Sequence, residues 1–406
     1  MAIQRSKPFE PQPDRPKIYE QRIYRPSVVR TRDPMVWTDI QGDAEFKKRD
    51  VDPPSAAALN LERQISDDRV HPVDVLQAAI GRNEVTMSVL RVCLQAYVSQ
   101  LQSVSHPERL DMIKEKPMAA MALEHSWSQA LDWFRTTLND GAISKWICYL
   151  AVLEGLDDII IDWIKEDLPE QAKATAQDGV ELAYWRNGLL RMLVEATLNN
   201  TTNQSGDAAL RVYFRILDDR KNLFDPESQD YVRHHGQYQK RWEDLNLPEW
   251  TKISTWPAAC VLISHLGRGA FPKTSASLYN RFMKHILKHP FKGTPAQHEL
   301  SVARLSLKHP TKPDAYLACE FFGARLRDKS IEDIKGRLPR VKNTLDMWGA
   351  VMREIITLAK QNGQYGDVEW LADLYRSLPI LWPLPRGKFA ESHRQLMKLI
   401  GPPKTT

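Results

Sequence analysis

The chain has 406 residues, of which 42% are hydrophobic and 26% charged, and a net charge of +5. This is ordinary globular usage, sufficient to bury a core without covalent staples, and it excludes a wholly disordered chain. Cys93, Cys148, Cys260 and Cys319 are too widely spaced for a metal knuckle or a disulfide framework and read as reduced thiols. Apolar runs such as "DDIIIDWI" stop well short of the about 20 residues that a membrane span requires, so no transmembrane helix is expected.

Residues 1–55 open with eight Lys/Arg, three acids and five prolines in the first 32 positions. Prolines at that density prevent a continuous helix, so the segment reads as an extended basic arm that a partner surface would order. Glu10, Asp14 and Glu20 make it a poor transit peptide, and no apolar stretch suits a secretory signal. From about residue 56 the apolar spacing turns to three and four. "SVLRVCLQAYVSQLQ" and "SWSQALDWFRTTL" each read as one helix, and "SKWICYLAVLEGLDDIIIDWIKEDLP" as two, hinged near Gly155. Strand signals are almost absent, so the expected fold class is all-α.

The later helices come in pairs. "ELAYWRNGLLRMLVEATLNN" precedes "DAALRVYFRILDD", and "TWPAACVLISHLG" precedes "SASLYNRFMKHILKH". "AQHELSVARLSLKH" precedes "DAYLACEFFGARLRD", and "TLDMWGAVMREIITLAKQNG" precedes "DVEWLADLYRSLP". The aromatics Tyr279, Tyr316 and Trp348 are spaced by 37 and 32 residues. Helical hairpins repeated at such a period bury their apolar faces by stacking on their neighbours, which predicts a right-handed α-solenoid of helix-turn-helix repeats. The alternative is an irregular helical bundle. The expected organisation is an arm over 1–55, a helical-hairpin region over 56–226, an irregular connector over 227–255, repeats over 256–379 and a basic tail over 380–406. Of the twelve Trp residues, Trp146, Trp163, Trp185, Trp348 and Trp370 are expected to pack between helices, and Trp382 to cap the array or dock on a partner.

Gly269 and Pro272 followed by Tyr279-Asn280 and the apolar Phe282-Met283 resemble the pentatricopeptide-repeat layout, in which Gly and Pro precede a helix opening on Tyr-Asn. "GDAALRVYFRI" resembles that family's second helix, and "TKPDAY" its junction between units. The resemblance covers about 182–217 and 256–379 and is degenerate. It implies an RNA-binding protein of mitochondria or chloroplasts, here the mitochondrial matrix, acting in RNA maturation, translation or the mitochondrial ribosome. In the family, the polar residue after the opening aromatic contacts a base. That position holds Arg186, Asn280, Leu317 and Gly349 in this chain, so a regular reading code is not expected.

Charge is segregated along the chain. Residues 111–180 carry a balance of −7, whereas 268–313 carry +8 with Glu299 as the lone acid. A basic block of that size in a folded region fits a polyanion, and a solvated helix face is the plainer alternative. Over 275–289, Leu278, Phe282 and Ile286 form an apolar stripe flanked by Tyr279, Met283 and Leu287. Arg281, Lys284 and Lys288 share the other face, and Asn280 sits at its edge. The expected RNA-binding set is Arg268, Lys273, Asn280, Arg281, Lys284, Lys288, Lys292, Arg304, Lys308 and Lys312.

Other chemistry lacks its partners. His285 and His289 have metal-ligand spacing, but Lys284 and Lys288 would repel a cation. "GRGAFP" has Pro272 where a dinucleotide fingerprint needs its third glycine, and no phosphate-loop motif occurs. No convergent acid, base or nucleophile set is visible, so neither an enzyme nor a cofactor or metal is expected. The expected partners are RNA and the protein subunits of a ribonucleoprotein. Two readings stay open beside RNA metabolism: a scaffold subunit that binds mainly protein, and a helical RNA-coating protein.

Overall fold

The computed structural model describes residues 60–61, 63–65, 70–129, 140–166, 181–222, 253–289, 295–337, 342–363, 365–382 and 390–400. The 1–55 arm, the 227–255 connector up to residue 252, and Lys292 lie outside these. Among the described residues all regular secondary structure is helical, and no helix is long and apolar enough to cross a membrane. The chain divides into two units, 1–262 and 263–406.

In the first unit, α1 (Pro72–Gly81) starts on a proline behind His71, whose Nδ1 accepts from the Val73 N–H. That proline has no N–H to leave orphaned at the helix start. The Thr86 side chain caps α2 (Met87–Ser103), where Leu90, Leu94, Tyr97 and Leu101 recur at steps of three and four on the buried face. A Ser105/Glu108 capping box opens α3 (His106–Glu115), and α4 (Met118–Ser128) follows. Asp140 caps α5 (Gly141–Glu154), which ends on the left-handed Gly155 before α6 (Asp157–Lys165), so the expected hinge is where the chain turns. The single helix expected over "SWSQALDWFRTTL" is interrupted at its start, where α4 ends at Ser128 on the extended Gln129, and the rest of that stretch, 130–139, lies outside the described residues. The pair α7 (Glu181–Asn199) and α8 (Asp207–Asn222) packs as a hairpin, with α7 also lying on α5.

Buried polar groups in this unit close helix ends. Glu154, at the end of α5, accepts from the Ala119 and Ala120 N–H groups at 2.7 and 2.9 Å, at the start of α4. Buried Arg109 donates to the Leu101 carbonyl at 2.6 Å in the last turn of α2. Fully buried Arg186 donates to the Ile164 and Glu166 carbonyls at 3.1 and 2.8 Å, where α6 ends. The last carbonyls of a helix have no partner within it and carry the negative end of its dipole, so a guanidinium satisfies both needs.

The division between units falls within α9 (Trp256–Leu266). The second unit continues with α10 (Ala276–Lys288), α11 (Pro295–Leu307), α12 (Tyr316–Leu326) and α13 (Ile331–Arg337). It ends with α14 (Lys342–Gln361), α15 (Tyr365–Ser377), a 3-10 turn over Pro379–Leu381, and α16 (Ala390–Ile400). The hairpins α11/α12 and α14/α15 pack as their spacing predicts, and α10 lies on α11. Phe321, Phe322 and Trp348 meet edge to face at the centre of the core, with centroids 5.1–5.8 Å apart. Part of the expected basic tail is α16, whose Leu396 and Ile400 join this core while buried Arg376 donates to the Ile400 carbonyl at 3.0 Å. Trp382 packs on its own unit: its indole N–H donates to the Tyr375 carbonyl at 2.9 Å.

The aromatics that suggested a period do not share a helical position. Tyr279 lies one turn into α10 and is buried, Tyr316 is the first residue of α12 and 63% exposed, and Trp348 lies well inside α14. Gly349, beside Trp348, backs onto the turn at Leu381. A Cβ there would stand 2.2 Å from the Leu381 carbonyl oxygen. Alanine in a helix normally gains about 1 kcal/mol over glycine, but backbone overlap of this depth costs more. Gly349→Ala is expected to lower the unfolding free energy by about 2 kcal/mol net, read as a lower urea midpoint.

Candidate nucleic-acid interface

The interface is built on α10. Its buried face is Tyr279, Phe282 and Ile286, whereas Leu278 and Met283 are half-buried and Leu287 is 54% exposed. The apolar stripe is therefore narrower than the sequence suggests and is centred on the Tyr279 side. Tyr279 fixes the helix on α11: its hydroxyl donates to the Leu305 carbonyl at 2.8 Å, and burial pushes its pKa up. Arg281, Lys284 and Lys288 all lie on the exposed face, as the 100° spacing predicts. Among the described residues no carboxylate pairs with Lys284 or Lys288.

Preceding α10, the chain turns through Gly269 at φ 67°, a conformation that favours glycine. A Cβ at Gly269 would stand 3.1 Å from the Lys308 side chain, which crosses this turn. Arg268 and Lys273 are exposed on either side of it.

Arg304 and Lys308, also expected to bind RNA, are engaged within the protein. The Lys308 ammonium is 2.7 Å from Glu354 of α14. Arg304 lies against Gly267 and directs Nη1 to the Met347 sulfur at 3.4 Å. Burial, and then Arg268, lower its pKa to about 10. Glu299, the acid within the basic block, is held at 2.6 Å by Arg325. Folding thus draws Arg304 and Lys308 inward and offsets Glu299, while Arg268, Lys273, Arg281, Lys284, Lys288 and Lys312 remain exposed.

The chain matches no protein-family model, no curated protein and no solved structure.

Asn280 is exposed, and its side-chain oxygen accepts from His309 Nε2 at 3.0 Å. The His309 Nδ1 accepts the N–H groups of Thr311 and Lys312 at 3.3 and 3.0 Å, which assigns the proton to Nε2 and makes the ring neutral. Burial and the Lys312 charge lower its pKa, in keeping with that form. The ring also meets Tyr279 edge-on at 5.2 Å. His309 was not singled out by its sequence context, "KHPTKP", yet it ties the 308–315 connector to the polar edge of α10. Of the other positions aligned with Asn280, Arg186 is fully buried, Leu317 is half-buried and Gly349 is closed off by Leu381.

Proposed function

We propose that this chain binds RNA through the exposed face of α10 and the turns beside it, as a non-enzymatic helical protein of mitochondrial RNA metabolism, translation or the ribosome. The observation that carries the RNA reading is the row of Arg281, Lys284 and Lys288 on one face, with Lys284 and Lys288 unpaired among the described residues. Such a row follows a phosphate backbone and gains by releasing its condensed counterions. The repeat character and the mitochondrial setting rest on the pentatricopeptide resemblance. Arg304 and Lys308 support the face from within rather than contacting phosphate.

A binding titration of the full chain with a labelled single-stranded RNA tests this reading. With about four phosphates neutralised, affinity should fall about fiftyfold as salt rises from about 50 to about 200 mM. No retention at the lower salt would overturn it. A second reading, a scaffold that binds mainly protein, is favoured by Leu287 and Ile380, 54% and 58% exposed. Association through such apolar groups would persist across the same salt range.

A further inference from the structure

We infer that Tyr316 is a stacking platform for one unpaired base of a single-stranded RNA whose phosphates run along α10. The inference rests on the RNA reading above and specifies the strand type and the contact. Tyr316 is the one aromatic among the large apolar side chains exposed on the described residues. A tyrosine ring 63% open to water gives up apolar burial that any base face can supply.

The backbone that carries it is fixed rather than loose. The Tyr316 N–H donates to Asp314 Oδ1 at 2.9 Å, and Asp314 is tied back to Ser306 through a backbone pair at 3.1 Å and the Ser306 hydroxyl at 3.2 Å. Pro310 and Pro313 restrict the connector further. Little backbone ordering is therefore needed when a base docks on the ring.

The connector that leads to the ring is tied to the cationic helix. Exposed Lys312 lies one short step before it in the connector, whose His309 is hydrogen-bonded to Asn280, next to Arg281 on α10. An exposed aromatic at the end of a connector tied to a line of cations suits a strand whose backbone meets the charges while a base turns out onto the ring. A duplex keeps its bases paired and offers no such face. Asp314 is the one carboxylate of the connector, and it disfavours phosphate on its own side, leaving the Lys312 side for the backbone.

The test uses the full chain with a single-stranded oligonucleotide containing 2-aminopurine and with a blunt RNA duplex of equal length. Tyr316→Ala should weaken single-strand binding on the order of tenfold and abolish the stacking-dependent quenching of 2-aminopurine, while duplex binding changes less than about twofold. Tyr316→Phe, which keeps the ring, should behave as the native protein. The inference is overturned if native and Tyr316→Ala chains bind the single strand equally, or if the variant loses both strand types alike. If the native chain binds neither RNA, the RNA reading itself falls, a result distinct from either of these.

Discussion

Reversing Lys284 and Lys288 to glutamate together should all but remove RNA binding while leaving the fold intact. Each phosphate contact on a single strand contributes a log-log salt slope of about −0.7, so losing two lowers the slope by about 1.4 and the affinity about 25-fold at 0.1 M salt. Introducing two negative charges adds repulsion on top, so Lys284→Gln with Lys288→Gln should show only the neutralisation part. Both lysines are exposed, and among the described residues neither has an ion pair to lose. Lys, Gln and Glu have similar helix propensity. Glutamates near the end of α10 oppose the helix dipole by about 0.3–1 kcal/mol each, which bounds the expected change in urea midpoint. A double reversal that unfolds normally and still binds RNA with the native salt slope would remove α10 from the interface.

The helical class, the α7/α8, α11/α12 and α14/α15 pairs and the turn at Gly155 were legible because apolar spacing and capping residues are local signals. The helical position of Tyr279, Tyr316 and Trp348 was not. A spacing counted along the sequence ignores where each helix starts, and Tyr316 begins its helix while Trp348 lies deep in another. Charge counting erred for a related reason. The sum of +8 over 268–313 cannot know that Lys308 turns to Glu354, that the half-buried Arg304 turns to Met347, or that Glu299 is held by Arg325. The acidic 111–180 region behaves alike, since Asp140 and Asp158 pair with Arg91 and Arg215 from beyond it. What stays exposed of the basic block is the α10 row with Arg268, Lys273 and Lys312 beside it, and the helical phase of the row was readable because Tyr279, Phe282 and Ile286 fix the opposite face.

Arginine adds a further reason why charge misleads in this chain. Arg109, Arg186 and Arg376 are buried and each donates to carbonyls at the end of a neighbouring helix. The planar fork spreads its five donors over three nitrogens, so one arginine reaches two separated carbonyls, whereas the three donors of lysine radiate from a single nitrogen. A share of the Lys/Arg total is therefore architecture, and it is the exposed lysines of α10 rather than the arginines of the core that bear on a polyanion.

Arg186 turns that distinction into an experiment, because the repeat layout puts it at a base-contacting position and the structure puts it under α6. Arg186→Met keeps an unbranched apolar side chain but removes the fork, taking away the guanidinium over the Trp185 ring and its bonds to the Ile164 and Glu166 carbonyls. An unsatisfied buried acceptor costs about 1–3 kcal/mol, and relief of the buried guanidinium's desolvation offsets part of the sum. The net expectation is a loss of about 2–4 kcal/mol in unfolding free energy, with Arg186→Lys intermediate because its ammonium is a single point rather than a fork. RNA affinity of the folded variant should equal that of the native chain. The opposite pattern, native stability with weakened RNA binding, would mean that Arg186 leaves the α6 terminus to reach a base, and the capping role would then be wrong.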